Sequence, residues 1–111
     1  MMRVDTDVAE GVAVLQPQGR LTMVTAPELR QLVADTVKSG RVRIVVDLSA
    51  TEFLDSSGLG ALIAGLKTAR QAGGDLRIAA LGPQVSTVLQ LTNLDRVLRP
   101  YGSVAEALSA R

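Results

Sequence analysis

The hydrophobic positions of the chain switch between strand and helix periods. Val42-Arg43-Ile44-Val45-Val46-Asp47-Leu48 is a nearly continuous β-branched run, the pattern of a strand buried on both faces. From Leu59 the apolar residues fall at Leu59, Leu62, Ile63 and Leu66, one face of a helix. That helix is predicted from about Ser57 to Ala72, with Lys67, Arg70 and Gln71 on its outer side and Gly73-Gly74 ending it. Upstream, Val4 to Ala9 and Val12 to Gln16 read as two strands joined at Glu10-Gly11, an antiparallel hairpin closed by Pro17. Gly19 to Val24 is expected to be a loop. Leu29, Leu32, Val33 and Val37 give the buried face of a first helix. Thr25 and Glu28 are spaced as its capping box, Pro27 fits its first turn, and Gly40 stops it. Downstream, Leu76 to Leu81 predicts a strand broken by Gly82-Pro83. Pro83 to Leu91 predicts a helix with Val85, Val88 and Leu89 inward. Leu94 to Leu98 predicts a short strand centred on Val97-Leu98. Ser103 and Glu106 form a second capping box, for a last helix carrying Leu108.

Strand–helix alternation after an opening hairpin implies an α/β fold with a mixed, mostly parallel sheet of about five strands and about four helices. The 111 residues read as one domain, with a core built from Leu, Val, Ile and Ala because Phe53 and Tyr101 are the only aromatics.

Composition then narrows the chemistry. The net charge of +1 comes from 12 basic and 11 acidic residues with no basic block, so nothing points to nucleic acid. There is no cysteine for thiolate chemistry and no histidine to act as a general base or metal ligand. Ser56 and Ser57 would need Lys38 or Lys67 as base, and both lie on the wrong part of their helices. Asp47 and Asp55 are an isolated pair. The expectation is a protein that is not an enzyme and carries no cofactor. The opening Met1-Met2-Arg3-Val4-Asp5 has no leader-like apolar core and no run reaches membrane-span length, which predicts a cytoplasmic, non-membrane protein.

The stretch that breaks the ordinary pattern is Asp55-Ser56-Ser57-Gly58-Leu59-Gly60, between strand and helix. One Asp or Ser would suffice as an N-cap. Two serines, an aspartate and two glycines exceed that need. Gly58 and Gly60 each cost roughly 0.5–1 kcal/mol relative to Ala within a helix. They either leave the helix entrance bare for a partner or serve close helix–strand packing. The helix N-terminus also favours an anion, so nucleotide binding there is a further reading.

Phe53-Leu54-Asp55-Ser56-Ser57-Gly58-Leu59-Gly60 resembles the signature of STAS domains, particularly the bacterial anti-sigma factor antagonists. The resemblance extends over Gly19-Arg20-Leu21 through Thr25-Ala26-Pro27-Glu28-Leu29, Asp47-Leu48-Ser49, Leu94-Asp95-Arg96-Val97 and Ser103 to Leu108. It implies a partner-switching protein whose unphosphorylated form binds an anti-sigma factor that is also a serine kinase, freeing a sigma factor. Ser56 would be the phosphoacceptor and Ser57 a neighbouring or minor one. Asp55 would position and cap, and Gly58, Leu59 and Gly60 would meet the partner. A PP2C-type phosphatase would reverse the modification. Where the family has a Gly-acidic-Leu-Asp pattern, this chain has Gly19-Arg20-Leu21-Thr22, so Arg20 and Thr22 remove two negative charges from the partner-facing edge. The alternative within the family is a constitutive docking subunit of a lipid-transport complex or a stressosome-like scaffold. No apolar stripe is left over once the helices dock, so a monomer is expected.

Overall fold

A computed structural model describes residues 2–6 and 9–110. In chain order the elements are β1 (Met2–Asp5), β2 (Val12–Pro17), β3 (Gly19–Leu21), α1 (Ala26–Lys38), β4 (Arg43–Asp47), β5 (Thr51–Leu54) and α2 (Ser56–Gln71). Then follow β6 (Asp75–Ala79), α3 (Pro83–Leu91), a 3-10 turn (Leu94–Arg96), β7 (Pro100–Tyr101) and α4 (Val104–Ser109).

The main sheet has the order β1-β2-β4-β6-β7. Only the β1–β2 pair is antiparallel; β2–β4, β4–β6 and β6–β7 are parallel. β4 is central, and its alternation divides the core. Ile44 and Val46 join the large cluster under α1, α2 and α3, with Leu15, Leu29, Val33, Leu62, Leu66, Ile78 and Leu89. Val45 points to the opposite face, where it meets Ala79 and Ala107, so α4 covers that side. The continuous apolar run of β4 is thus buried on both faces, as its sequence predicts.

β2 and β4 do not stop at the sheet. After Pro17 and after the Leu48–Ala50 turn, the two chains bend and pair again as a separate parallel ribbon, β3–β5. The bend has local causes. Gly19 takes φ +83, a conformation costly for a residue with a Cβ, and the register shifts between Gly19 and Arg20. Gly19 N–H donates to the Ala50 carbonyl at 2.8 Å, and the buried Thr51 hydroxyl donates to the Pro17 carbonyl at 2.9 Å. Gly19 to Val24 is therefore half strand rather than all loop.

Other expectations are corrected as well. The first strand is Met2–Asp5 rather than Val4 to Ala9, with Asp7 and Val8 outside the described residues. Thr25 forms no capping box with Glu28. Its hydroxyl accepts from Thr22 N–H at 2.9 Å and donates to the Arg20 carbonyl at 2.8 Å, closing the β3–α1 loop instead. Leu94 to Leu98 opens with the 3-10 turn Leu94–Arg96 and contains no strand: the Leu94 carbonyl accepts from Val97 and Leu98 N–H at 3.0 and 2.8 Å. Leu94, Val97 and Leu98 in fact have helical spacing, and the final strand is the two-residue β7.

Helix ends follow the sequence more closely. Gly40 at φ +96 ends α1 in a Schellman motif, with Gly40 N–H on the Val37 carbonyl and Arg41 N–H on that of Thr36. Ser103 caps α4 by accepting from Glu106 N–H at 3.1 Å, while the Glu106 carboxylate accepts from Gly102 N–H at 3.0 Å. No helix among the described residues is long and apolar enough to cross a membrane.

Candidate functional site

The serine turn stands at the carboxyl end of the β3–β5 ribbon, not directly at the end of β4. β5 ends at Leu54, Asp55 is extended (φ −105, ψ −174), and α2 begins at Ser56. Asp55 is the N-cap. One of its carboxylate oxygens accepts from Gly58 N–H at 2.9 Å, and the other from Met23 N–H at 3.3 Å. Its own N–H donates to the Leu21 carbonyl at 3.3 Å. A single aspartate therefore ties the start of α2 to the end of β3 and to the loop after it.

The free edge of β5 is closed by a side chain. Gln84, in the first turn of α3, accepts from Leu54 N–H through Oε1 at 2.8 Å and donates to the Leu54 carbonyl through Nε2 at 3.0 Å. The amide copies the donor–acceptor pair of a neighbouring strand, satisfying both backbone groups immediately before Asp55.

Ser56 is exposed and occupies the first position of α2, and Ser57 is half-buried beside it. Gly58 is buried rather than bare. A Cβ there would lie 2.3 Å from the Leu21 carbonyl oxygen and 2.8 Å from Leu54 Cδ1, so this glycine is the contact point of α2 with the ribbon. Leu59 is also inside, at 6% exposure, in the main core. Of the two readings of the glycines, close packing describes Gly58. Gly60 is different: it is half-buried at the α1–α2 boundary, and a Cβ there would meet only the Arg30 guanidinium, at 3.3 Å.

Arg20 and Thr22 lie close by but are already engaged. Arg20, opposite Phe53 in the ribbon, stacks its guanidinium 4.3 Å from the ring centroid. Thr22 shapes the loop: its carbonyl accepts from Thr25 and Ala26 N–H, and its hydroxyl from Val24 N–H at 3.4 Å. Lys38 ends α1, and Lys67 is eleven residues along α2 from Ser56, about 16 Å of helix rise, so neither approaches the serines. Asp47 serves the turn after β4, accepting from Gln16 Nε2 at 3.0 Å and Ser49 N–H at 2.9 Å.

Four neighbours escape a reading of the sequence. Met23 and Val24 are 73% and 84% exposed, an unusual position for two large apolar side chains in sequence, beside the Asp55 cap. Two hydrophobic residues inside a polar loop were the available signal. Arg30 and Gln84 carried none, because only helix packing brings them to the turn.

The STAS domain profile matches residues 3–107. Among curated proteins, the anti-sigma-F factor antagonist RsfB of Mycobacterium tuberculosis is 33% identical over 101 residues, 89% of this chain and 80% of its own. Among solved structures, TM1081 of Thermotoga maritima superposes with a TM-score of 0.86 at 30% identity, covering 96% of this chain and 91% of that one. SpoIIAA of Bacillus, solved in its phosphorylated form, shares the fold at 17% identity, with a TM-score of 0.74 and coverage of 97% and 96%.

Proposed function

Since the chain belongs to the STAS domain family, we propose that it is an anti-sigma factor antagonist whose unmodified form captures an anti-sigma factor kinase and so frees a sigma factor. Phosphorylation of Ser56 switches it off, Ser57 is a neighbouring acceptor, and a PP2C-type phosphatase restores the binding form. The observation that carries this reading is the exposed Ser56 at the helix start, with Met23 and Val24 exposed across the Asp55 cap from it. The hydroxyl is open to a kinase, and the apolar pair offers a partner surface to desolvate.

The physics of such a switch suits the position. A phosphate adds about −1.5 to −2 charges at neutral pH. At a helix N-terminus that charge is tolerated by the fold or stabilises it, so no refolding is required. Its effect falls on the interface, where a unit like-charge pair at about 4 Å is worth roughly 4 kcal/mol at an effective dielectric of 20. Because about 1.4 kcal/mol is tenfold in affinity, local repulsion alone releases a partner.

The test is calorimetric titration of the cognate kinase with wild type, Ser56→Ala and Ser56→Asp. Ser56→Ala should bind like wild type and Ser56→Asp at least about tenfold more weakly, a loss of about 1.4 kcal/mol. Met23→Ser should lose affinity without losing stability, since its side chain is 73% exposed. Equal affinities for Ser56→Asp and wild type would sink the switch and leave a constitutive docking module.

A further inference from the structure

We propose that Arg30 is the counter-ion, within the same chain, of a phosphate carried on Ser56, and that Gly60 is the slot through which it reaches. The proposal rests on the reading of Ser56 as a phosphoacceptor and adds the residue that would hold the modified group.

Arg30 lies on α1 just after Leu29, which is buried against the main core. Its guanidinium runs across the α1–α2 boundary, with one terminal nitrogen 3.3 Å from the position a Gly60 Cβ would take. Ser56 and Gly60 are four residues apart on α2, so they share one face, with Cβ positions about 5–6 Å apart. Helical side chains lean toward the N-terminus, so the Ser56 side chain lies on the N-terminal side of Gly60, and Arg30 has to reach back along the helix past the bare glycine to meet it. A phosphate adds three acceptor oxygens beyond the serine hydroxyl. A rotation of the exposed Arg30 side chain brings its planar fork onto them, the geometry in which Arg binds phosphate with two parallel hydrogen bonds. Any side chain at position 60 would occupy that path.

The charged groups around the site make Arg30 the available cation. Arg20 on β3 is stacked on Phe53. Asp55 at the cap has its oxygens on Gly58 and Met23 N–H. Glu52 on β5 and Glu28 on α1 are exposed acids, and α3 carries no charged residue. Among the described residues the ion pairs belong to Arg70 and Arg77 with Asp75, and none engages Arg30. Pairing would cancel part of the added charge and fasten α1 to α2, so the phosphate would be held in one place against an incoming partner.

The experiment installs phosphoserine at position 56 of the full chain by codon reassignment. It follows the 31P shift of the phosphate against pH in wild type, Arg30→Gln, Arg30→Lys and Arg20→Gln. The second ionisation should fall about one pH unit lower in wild type than in Arg30→Gln. Arg30→Lys should recover part of that difference, and Arg20→Gln should titrate like wild type. Matching titrations for wild type and Arg30→Gln would overturn the assignment, as would a shift in Arg20→Gln of the size expected for Arg30→Gln. Because the phosphate is installed without a kinase, this outcome is independent of the binding test. Loss of the switch would appear there as an inert Ser56→Asp, with the titration difference intact.

Discussion

The two glycines of the serine turn should respond in opposite directions to the same methyl group. In Gly58→Ala the new Cβ would sit 2.3 Å from the Leu21 carbonyl oxygen, 2.8 Å from Leu54 Cδ1 and 3.0 Å from the Leu21 carbonyl carbon. Optimal non-bonded separations are about 3.5–4.0 Å, so a shift on the order of 1 Å is required. Leu54 has some freedom to turn its methyl aside. The Leu21 carbonyl does not, because it is backbone, belongs to the β3–β5 pair and accepts from Asp55 N–H. The first turn of α2 must therefore retreat, which also lengthens the 2.9 Å cap bond from Gly58 N–H to Asp55. Overpacking of this kind costs about 1–3 kcal/mol, while the gain in helix propensity from Gly to Ala is at most about 1 kcal/mol. Because the closest clash is with backbone, the cost falls in the upper half of that range. The net expectation is a loss of about 1–2 kcal/mol, or roughly 4–8 °C in Tm for each kcal/mol in a domain near this size. At Gly60 the only atom in the way is the end of the exposed Arg30 side chain, so Gly60→Ala should be neutral or stabilising by up to about 1 kcal/mol. Urea unfolding of the three proteins, followed by circular dichroism with a common m-value, measures both changes. A Gly58→Ala protein within about 0.5 kcal/mol of wild type would refute the close approach of α2 to β3.

Two further substitutions probe the scaffold of the turn. Asp55→Ala removes the α2 cap and the bond to Met23 N–H, and should cost about 1–2 kcal/mol in urea unfolding; a change below about 0.5 would mean that solvent satisfies those donors equally well. Gln84→Leu leaves the Leu54 N–H and carbonyl without their side-chain partner, and should cost about 1–3 kcal/mol while raising hydrogen exchange at Leu54 N–H. Unchanged exchange at Leu54 would show that the amide does not close the ribbon edge.

Local sequence determined the elements whose signals are repeated within a few residues. β4 was legible because its apolar run is continuous, α2 because Leu59, Leu62 and Leu66 recur at the helical period, and α3 because Pro83 and Leu91 frame three inward residues. A cap among Asp55, Ser56 and Ser57 followed from side-chain chemistry, the choice of Asp55 from the family resemblance, and the family from the serine motif with its flanking segments. Strands β3 and β5 were not legible, since three and four residues carry no readable period and are strands only by pairing with each other. Leu94 to Leu98 is ambiguous in sequence, because three apolar residues in five, Leu94, Val97 and Leu98, are too few to separate a turn from a short strand. The surroundings of Ser56 belong to the tertiary structure for the same reason. Gln84 meets Leu54 from 30 residues away, Met23 meets Asp55 from 32, and Arg30 meets Gly60 across two packed helices. The sequence singled out Ser56 through its nearest neighbours; which charges and apolar groups face it depends on how helices and strands dock, and docking is decided by contacts that no local pattern encodes.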